Sequence, residues 1–349
     1  MKSEINRRKF LKYLAAGAAG VAVDSLLVAC GQKPIDPTKT ESTDTISPAV
    51  NPPSALAGQS SSPSQVTRPP LSPSPAAPGF AQMAVTRGGE PEILVQRAIA
   101  ALGGMEQFVK QGNDVIIKPN ICVAYHSYEY AATTNPWVVA ALVKLCLEAG
   151  AKRVRVMDYP FGGEAAEAYA VSGIADLVNT AGGSMETMAP FKYVSTSLPD
   201  ARALKNTDIY DDIMKTDVLI NVPIAKTHSM AGLTLGMKNL MGTVKNREII
   251  HHKMGQNLAD LTGFLKPTLT MIDAVRILTA NGPTGGNLDD VKKMDTVIAS
   301  RDILAADTYA ASLFGVDPFS LAYITAGTEA GIGQSDLSQL KIEEISVGG

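Results

Sequence analysis

Residues 114–158 read DVIIKPNICVAYHSYEYAATTNPWVVAALVKLCLEAGAKRVRVMD. The run DVIIK at 114–118 is short, β-branched and bounded by Pro119 and Asn120, which marks a buried strand. Asn135 offers a side-chain cap, Pro136 suits a first helical turn, the apolar residues that follow recur at helical spacing, and Gly150 supplies the stop. RVRVMD at 153–158 is the next strand. Strand, helix, strand in this order is the pattern of a right-handed crossover between parallel neighbours in one sheet.

The alternation continues on both sides. Residues 90–108 carry Ile93, Leu94, Ala98 and Leu102 at helical spacing before the breaker Gly103-Gly104. Downstream, 173–181, 233–240 and 258–265 are predicted as helices, and DVLINV (217–222), TLTMID (268–273) and TVIAS (296–300) as strands. Asp302 opens a helix through Phe314, and Ser320 opens another ending near Gly331. The expected class is α/β, a mainly parallel sheet with helices on both faces, over residues 84–349. One domain or two lobes divided near Ala201 both fit.

The N-terminal quarter reads differently. Asn6, Arg7, Arg8, Lys9, Phe10, Leu11 and Lys12 are followed by a small-residue apolar run and then Leu27, Val28, Ala29 and Cys30. This resembles a twin-arginine export signal joined to a lipoprotein cleavage site, so residues 1–30 are expected to engage the twin-arginine export machinery and Cys30 to carry lipid. Asp24 and the glycines disfavour a spanning helix, and attached acyl chains would anchor the protein to the extracytoplasmic side of a membrane. Residues 31–83 are dominated by Pro, Ser, Thr and Ala. Such a stretch cannot bury enough apolar surface to offset its ordering entropy, and is expected to be a disordered tether.

Composition narrows the partners. A net charge of −3, a pI near 5.9 and 19% charged residues give no basic excess, so nucleic acid is not an expected partner. With three cysteines and no C-x-x-C, the chain cannot ligate a four-cysteine iron–sulfur cluster by itself. Cys122 and Cys146 are expected as buried free thiols, with a disulfide as the alternative in an oxidising compartment. A G-x-S-x-G elbow and a full G-x-G-x-x-G after the first strand are both missing, which disfavours an α/β-hydrolase and Rossmann-type NAD binding.

Parallel sheets bind ligands beyond the carboxyl ends of their strands. Here those ends carry Lys118-Pro119-Asn120, Asp158, Lys226-Thr227-His228, Asp273 and Arg301-Asp302. In the same order, IIKPNI, DVLINVPIAKTH, TLGMKNLMGTV, MIDAV, NGPTGG, ASRDILAADTYAASLFGVDP and AGIGQSDL, spanning about 114–340, resemble the DUF362 family. That family has no established general activity, so the resemblance implies a fold and no reaction. Many of its members carry ferredoxin-like cysteine clusters beside the domain, and this chain lacks them.

The densest stretch, 226–252, holds three of the four histidines, His228, His251 and His252. One reading makes His228, His251 and Asp158 ligands of a divalent metal. A second makes Lys226, Lys238, Asn239 and the turn at Gly242 an anion site for a carboxylate or phosphate. Purely structural roles are the third, and for Lys118 the structural alternative is a salt bridge to Asp158 or Asp273. The functional assignment takes Lys118, Lys226, His228 and Asp273 as catalytic and Asn120, Lys238 and Asn239 as ligand-binding. Asp307, among alanines, is the carboxylate expected to turn inward, whereas Asp302 is expected as a helix cap.

Two functions follow: an exported envelope enzyme acting on a small anionic molecule, or a non-catalytic lipoprotein that binds such an anion or a metal centre. Changing Arg7 and Arg8 together to Lys is expected to leave unprocessed precursor in the cytoplasm, and Cys30→Ser to abolish incorporation of labelled fatty acid. Normal export of the first variant would reject the route, and label on the second would reject the anchor.

Overall fold

The structure, a computed structural model, describes residues 79–348, which lie in one compact unit without a division near Ala201. The expected export segment, Cys30 and nearly all of the expected tether lie outside the described residues. At its C-terminal end the tether reading gives way sooner than expected. Ala81 and Met83 are fully buried, and Gln82 N–H donates to Lys341 O at 2.9 Å.

Among the described residues there are twelve strands, ten of them in one sheet. They are β1 (Met83–Arg87), β2 (Asp114–Pro119), β3 (Arg153–Val156), β4 (Ser184–Met185), β5 (Tyr193–Ser197), β6 (Asn206–Tyr210), β7 (Val218–Val222), β8 (Ile224–His228), β9 (Gly232–Thr234), β10 (Leu269–Leu278), β11 (Val291–Ser300) and β12 (Ile342–Ser346). The central order is β12-β1-β11-β10-β7-β2-β3-β4, while β5 and β6 make a separate hairpin. From β10 through β4 every neighbour is parallel; β11 runs antiparallel to both β10 and β1. The crossover read at 114–158 is present, with the helix Pro136–Glu148 capped by the Asn135 side chain, which accepts from Trp137 N–H.

Alternation along each strand fills two cores. Ile116 faces one layer with Leu258, Leu261, Leu304 and Ile324. Val115 and Ile117 face the other with Leu94, Val138, Leu142 and Val178. Helices therefore cover both faces. Cys122 and Cys146 are buried and free. Among the described residues no helix is long and apolar enough to cross a membrane.

Three expectations about elements change. The segment 233–240 is not one helix: β9 pairs antiparallel with β8, and only Gly236–Asn239 is helical. β10 runs on to Leu278, so Asp273 stands in the middle of a strand rather than at its end. Because β11 is antiparallel, the Arg301-Asp302 pair lies at the opposite edge of the sheet from Lys118. There the Arg301 guanidinium stacks 3.9 Å from the Phe108 ring centroid, and Asp302 caps the helix Ile303–Ala311 by accepting from Ala305 N–H.

Asp307 does turn inward, and what it meets is backbone. Its carboxylate accepts from Gly236 N–H at 2.6 Å and Met237 N–H at 2.9 Å, fixing the turn that leads into the helix Gly236–Asn239. Burial pushes its pKa up to about 7, against the pull of these two bonds. A carboxyl whose native pKa exceeds its unfolded one holds its proton more tightly when folded. Its contribution to stability is therefore full below the unfolded value and is withdrawn as pH rises through about 7. Asp307→Asn leaves one backbone donor facing an amide group and should cost about 1–3 kcal/mol near pH 5. That cost should shrink toward pH 8, where the wild-type protein bears the buried charge; equal costs at both pH values in urea unfolding would contradict this.

Candidate anion-binding site

β7 and β8 are nearly one strand, interrupted at Pro223, whose carbonyl accepts from Asp273 N–H at 2.9 Å. Both pair with β10, but only β7 pairs with β2. β8 therefore projects beyond the end of β2 and carries Lys226 and His228, two apart, toward the ends of β2 and β3. The β8–β9 hairpin and the helix Gly236–Asn239 then fold the chain back, bringing Lys238 and Asn239 to the same place.

A continuous polar network results. Lys118 Nζ lies 2.6 Å from Asp158 Oδ1, with both side chains almost wholly buried, and 3.3 Å from Asn239 Oδ1. The other oxygen of Asp158 accepts from Ile121 N–H at 2.6 Å. Asn239 is the hub: Oδ1 also accepts from Asn120 Nδ2 at 3.0 Å, and Nδ2 donates to Asn221 Oδ1 at 2.9 Å. Asn120 Oδ1 in turn accepts from Lys226 Nζ at 2.8 Å, and Lys226 donates to Ala132 O at 2.6 Å. Gly242 packs directly over the ion pair. A Cβ there would stand 2.4 Å from Asp158 Oδ1 and 2.6 Å from Lys118 Nζ, so only glycine fits without displacement.

Charge is unevenly answered in this network. Lys118 has a carboxylate, whereas Lys226, 1% exposed, has only neutral oxygens and the neighbouring Cys122 thiol. Among the described residues Lys238, 8% exposed, reaches only Met241 Sδ, at 2.9 Å. Burial pushes all three ammonium groups below the ordinary lysine range, Lys118 against the opposing attraction of Asp158, and Lys238 down to about 8. Burial, reinforced by the charges of Lys238 and Lys226, pushes His228 down to about 3, so it is a neutral imidazole at physiological pH. Its Nδ1 accepts from Met230 N–H at 3.1 Å and Ala231 N–H at 3.3 Å, which places the ring proton on Nε2 as a donor.

Lys118, Asn120, Lys226 and Asn239 are thus joined in one hydrogen-bonded network with Asp158. Lys238 and His228 lie outside its bonds but near enough for the charge of Lys226 to act on both, and that of Lys238 on His228. Asp273 does not join them. Its oxygens accept from Asn135 N–H at 2.6 Å and Val275 N–H at 3.0 Å, tying β10 to the start of the helix Pro136–Glu148, and burial pushes it up to about 6. Nor are His228, His251 and Asp158 gathered as metal ligands. Asp158 is committed to Lys118 and Ile121, His228 Nδ1 is occupied by its own hairpin, and the surrounding ammonium groups would repel a divalent cation. Among the described residues no three His, Cys, Asp or Glu side chains are grouped to hold a metal.

Asn221 was not singled out by sequence, although it occupies the end of a predicted strand; Gly242, expected as a turn beside an anion, packs over the Lys118–Asp158 pair. Two more distant residues, Tyr193 and Arg247, gave no such signal. Arg247 lies with its guanidinium 4.5 Å from the Tyr159 ring centroid, one residue beyond Asp158, and its charge acts on Lys118, Lys238 and His251.

The family model for a domain of unknown function, DUF362, matches residues 115–312. A thylakoid-associated protein of Synechocystis sp. is 28% identical over 240 residues, 66% of this chain and 72% of that protein. Two solved structures are partial likenesses. The lactate racemase apoprotein from Thermoanaerobacterium thermosaccharolyticum has 13% identity and a TM-score of 0.40, over 62% of this chain and 54% of that one. A protein from Thermotoga maritima has 12% identity and a TM-score of 0.42, over 65% of this chain and 60% of that one. The chain thus spans less than two thirds of either structure's length. The family match takes in more than half of the chain, including the strands bearing Lys118 and Lys226, the helix bearing Lys238 and the buried Asp307; the protein belongs to the DUF362 family.

Proposed function

We propose that this protein is exported and held at a membrane, and that its folded part is an enzyme moving a proton to or from a small anionic molecule bound among Lys226, Lys238 and His228. Lys238 carries the reading: among the described residues, the only neighbour within hydrogen-bonding distance of this buried ammonium is a thioether. A buried cation without a counter-charge costs several kcal/mol, and an entering carboxylate or phosphate removes that cost.

The roles follow from the environments. Lys238, with a pKa near 8, can exchange a proton near neutral pH without a large driving-force penalty. Lys226 and Lys118 stabilise negative charge that develops on the bound molecule, each held in place through Asn120 or Asn239. His228 offers a neutral Nε2–H donor. Asp158 orients Lys118 and is not the proton acceptor, since both of its oxygens are already bonded.

Membrane tethering rests on the export-like segment at 1–30 and Cys30, and the membrane association of the similar thylakoid protein supports it. The same residues would also serve a non-catalytic anion-binding lipoprotein, a reading favoured by the long tether expected at 31–83. Turnover of a bound anion separates the two.

Sulfate, which does not titrate in this range, is the probe for the site. Its affinity should fall as pH rises through about 8, where Lys238 loses its proton, and binding at pH 8 should take up protons, seen as a buffer-dependent heat in calorimetry. His228→Asn keeps an acceptor for the amides of Met230 and Ala231 but loses the Nε2 donor. It should weaken sulfate binding and leave the melting midpoint unchanged. Unchanged binding with a lowered midpoint would make His228 part of the scaffold.

A further inference from the structure

Two further donors belong to the same neighbourhood: the charge of Arg247 acts on Lys118, Lys238 and Tyr193. Arg247 donates through Nη2 to Tyr159 O and lies over the Tyr159 ring, which fixes its guanidinium beside the residue that follows Asp158. Its Nε is nonetheless a buried atom without a hydrogen-bond partner. The Tyr193 ring packs edge-on against Tyr159, with centroids 6.1 Å apart, and its hydroxyl is likewise buried and unpartnered. A guanidinium N–H and a phenol left unbonded in a desolvated place are uncommon, because each forfeits about 1–3 kcal/mol.

The charges there do not balance. Asp158 pairs directly with Lys118, and its charge reaches Lys226 only from further away. Among the described residues Lys226, Lys238 and Arg247 have no carboxylate within salt-bridge distance, and Glu248, whose charge acts on His251, is exposed. A monocarboxylate supplies one negative charge and two oxygens to three unanswered cations and two unanswered donors. A tetrahedral dianion supplies twice the charge, with oxygens directed to several sides at once.

We infer that the ligand of this site carries a phosphate-class dianion, with Arg247 Nε and Tyr193 Oη joining Lys226 and Lys238 in the donor set. This rests on the anion-site reading above and makes it specific. Arg247 and Tyr193 are then the residues that choose a dianion over a monocarboxylate, while the lysines supply attraction common to both.

The test is calorimetric titration of the full chain with inorganic phosphate and with acetate at pH 7.5, at one ionic strength. Phosphate should bind at least about tenfold more tightly than acetate. Arg247→Gln should lower phosphate affinity by about tenfold or more and acetate affinity by no more than about threefold, so that the preference collapses. Arg247→Lys should restore part of it, and Tyr193→Phe, which keeps the ring packing, should lose a smaller share. If Arg247→Gln does not fold, the Tyr193→Phe comparison still decides. Acetate binding as tightly as phosphate in the wild-type protein would overturn the dianion and leave the anion site standing. An unchanged preference in a natively folded Arg247→Gln or Tyr193→Phe protein would remove these residues from the site. Failure of both anions to bind would overturn the anion-site reading itself.

Discussion

Everything around the site depends on keeping lysine ammonium groups out of water. Lys118 and Lys226 are each 1% exposed, and Lys238 is scarcely more open. An isolated ammonium in such surroundings costs several kcal/mol even after relaxation, whereas a hydrogen bond to a charged group returns about 1.5–3 kcal/mol. One carboxylate, two asparagine amides and two backbone carbonyls satisfy the first two lysines geometrically. They do not supply the missing negative charge. The difference is borne by the two apolar layers, where each fully buried Leu or Ile contributes about 1.5–3 kcal/mol, and an anion at the site would relieve it.

The fold achieves this by breaking a strand. If β7 and β8 continued without interruption beside β2, Lys226 would be one more ladder position. At Pro223 the ladder to β2 stops while the chain keeps its hold on β10, so β8 overhangs the ends of β2 and β3. Asp307 then fixes the return turn from the other side by holding the amides of Gly236 and Met237, and Gly242 permits the backbone to close over the Lys118–Asp158 pair. Buried acids do scaffold work here: Asp273 and Asp307 bind backbone amides, and the site is left to the cations.

Much of this is legible in the sequence because it is local. The period-2 spacing of Lys118 with Asn120 and of Lys226 with His228 sends each pair to one side of an extended chain, and the strand–helix–strand run at 114–158 places the first pair at a sheet end. What fails is what depends on pairing partners. Asp273 looks like a strand-end residue because TLTMID is the apolar part, but β10 continues five residues further through its ladder with β11. Arg301 and Asp302 have the same local signature and the opposite location, because β11 runs the other way, and no residue within TVIAS encodes that direction. Thr234 and Leu235 belong to a helical pattern until β8 is available to pair with β9. Tyr193 and Arg247 enter from a separate hairpin and a loop, where no periodicity marks them.

The central claim, that the unanswered cations around Lys238 exist to hold an anion, is tested most directly by anomalous diffraction from crystals of the protein soaked in selenate. The account predicts a selenium peak whose oxygens lie within hydrogen-bond distance of Lys238 Nζ and Lys226 Nζ, on the side toward Arg247 Nε. An ordered site with no selenium near Lys238, or a peak only at surface lysines, would contradict it.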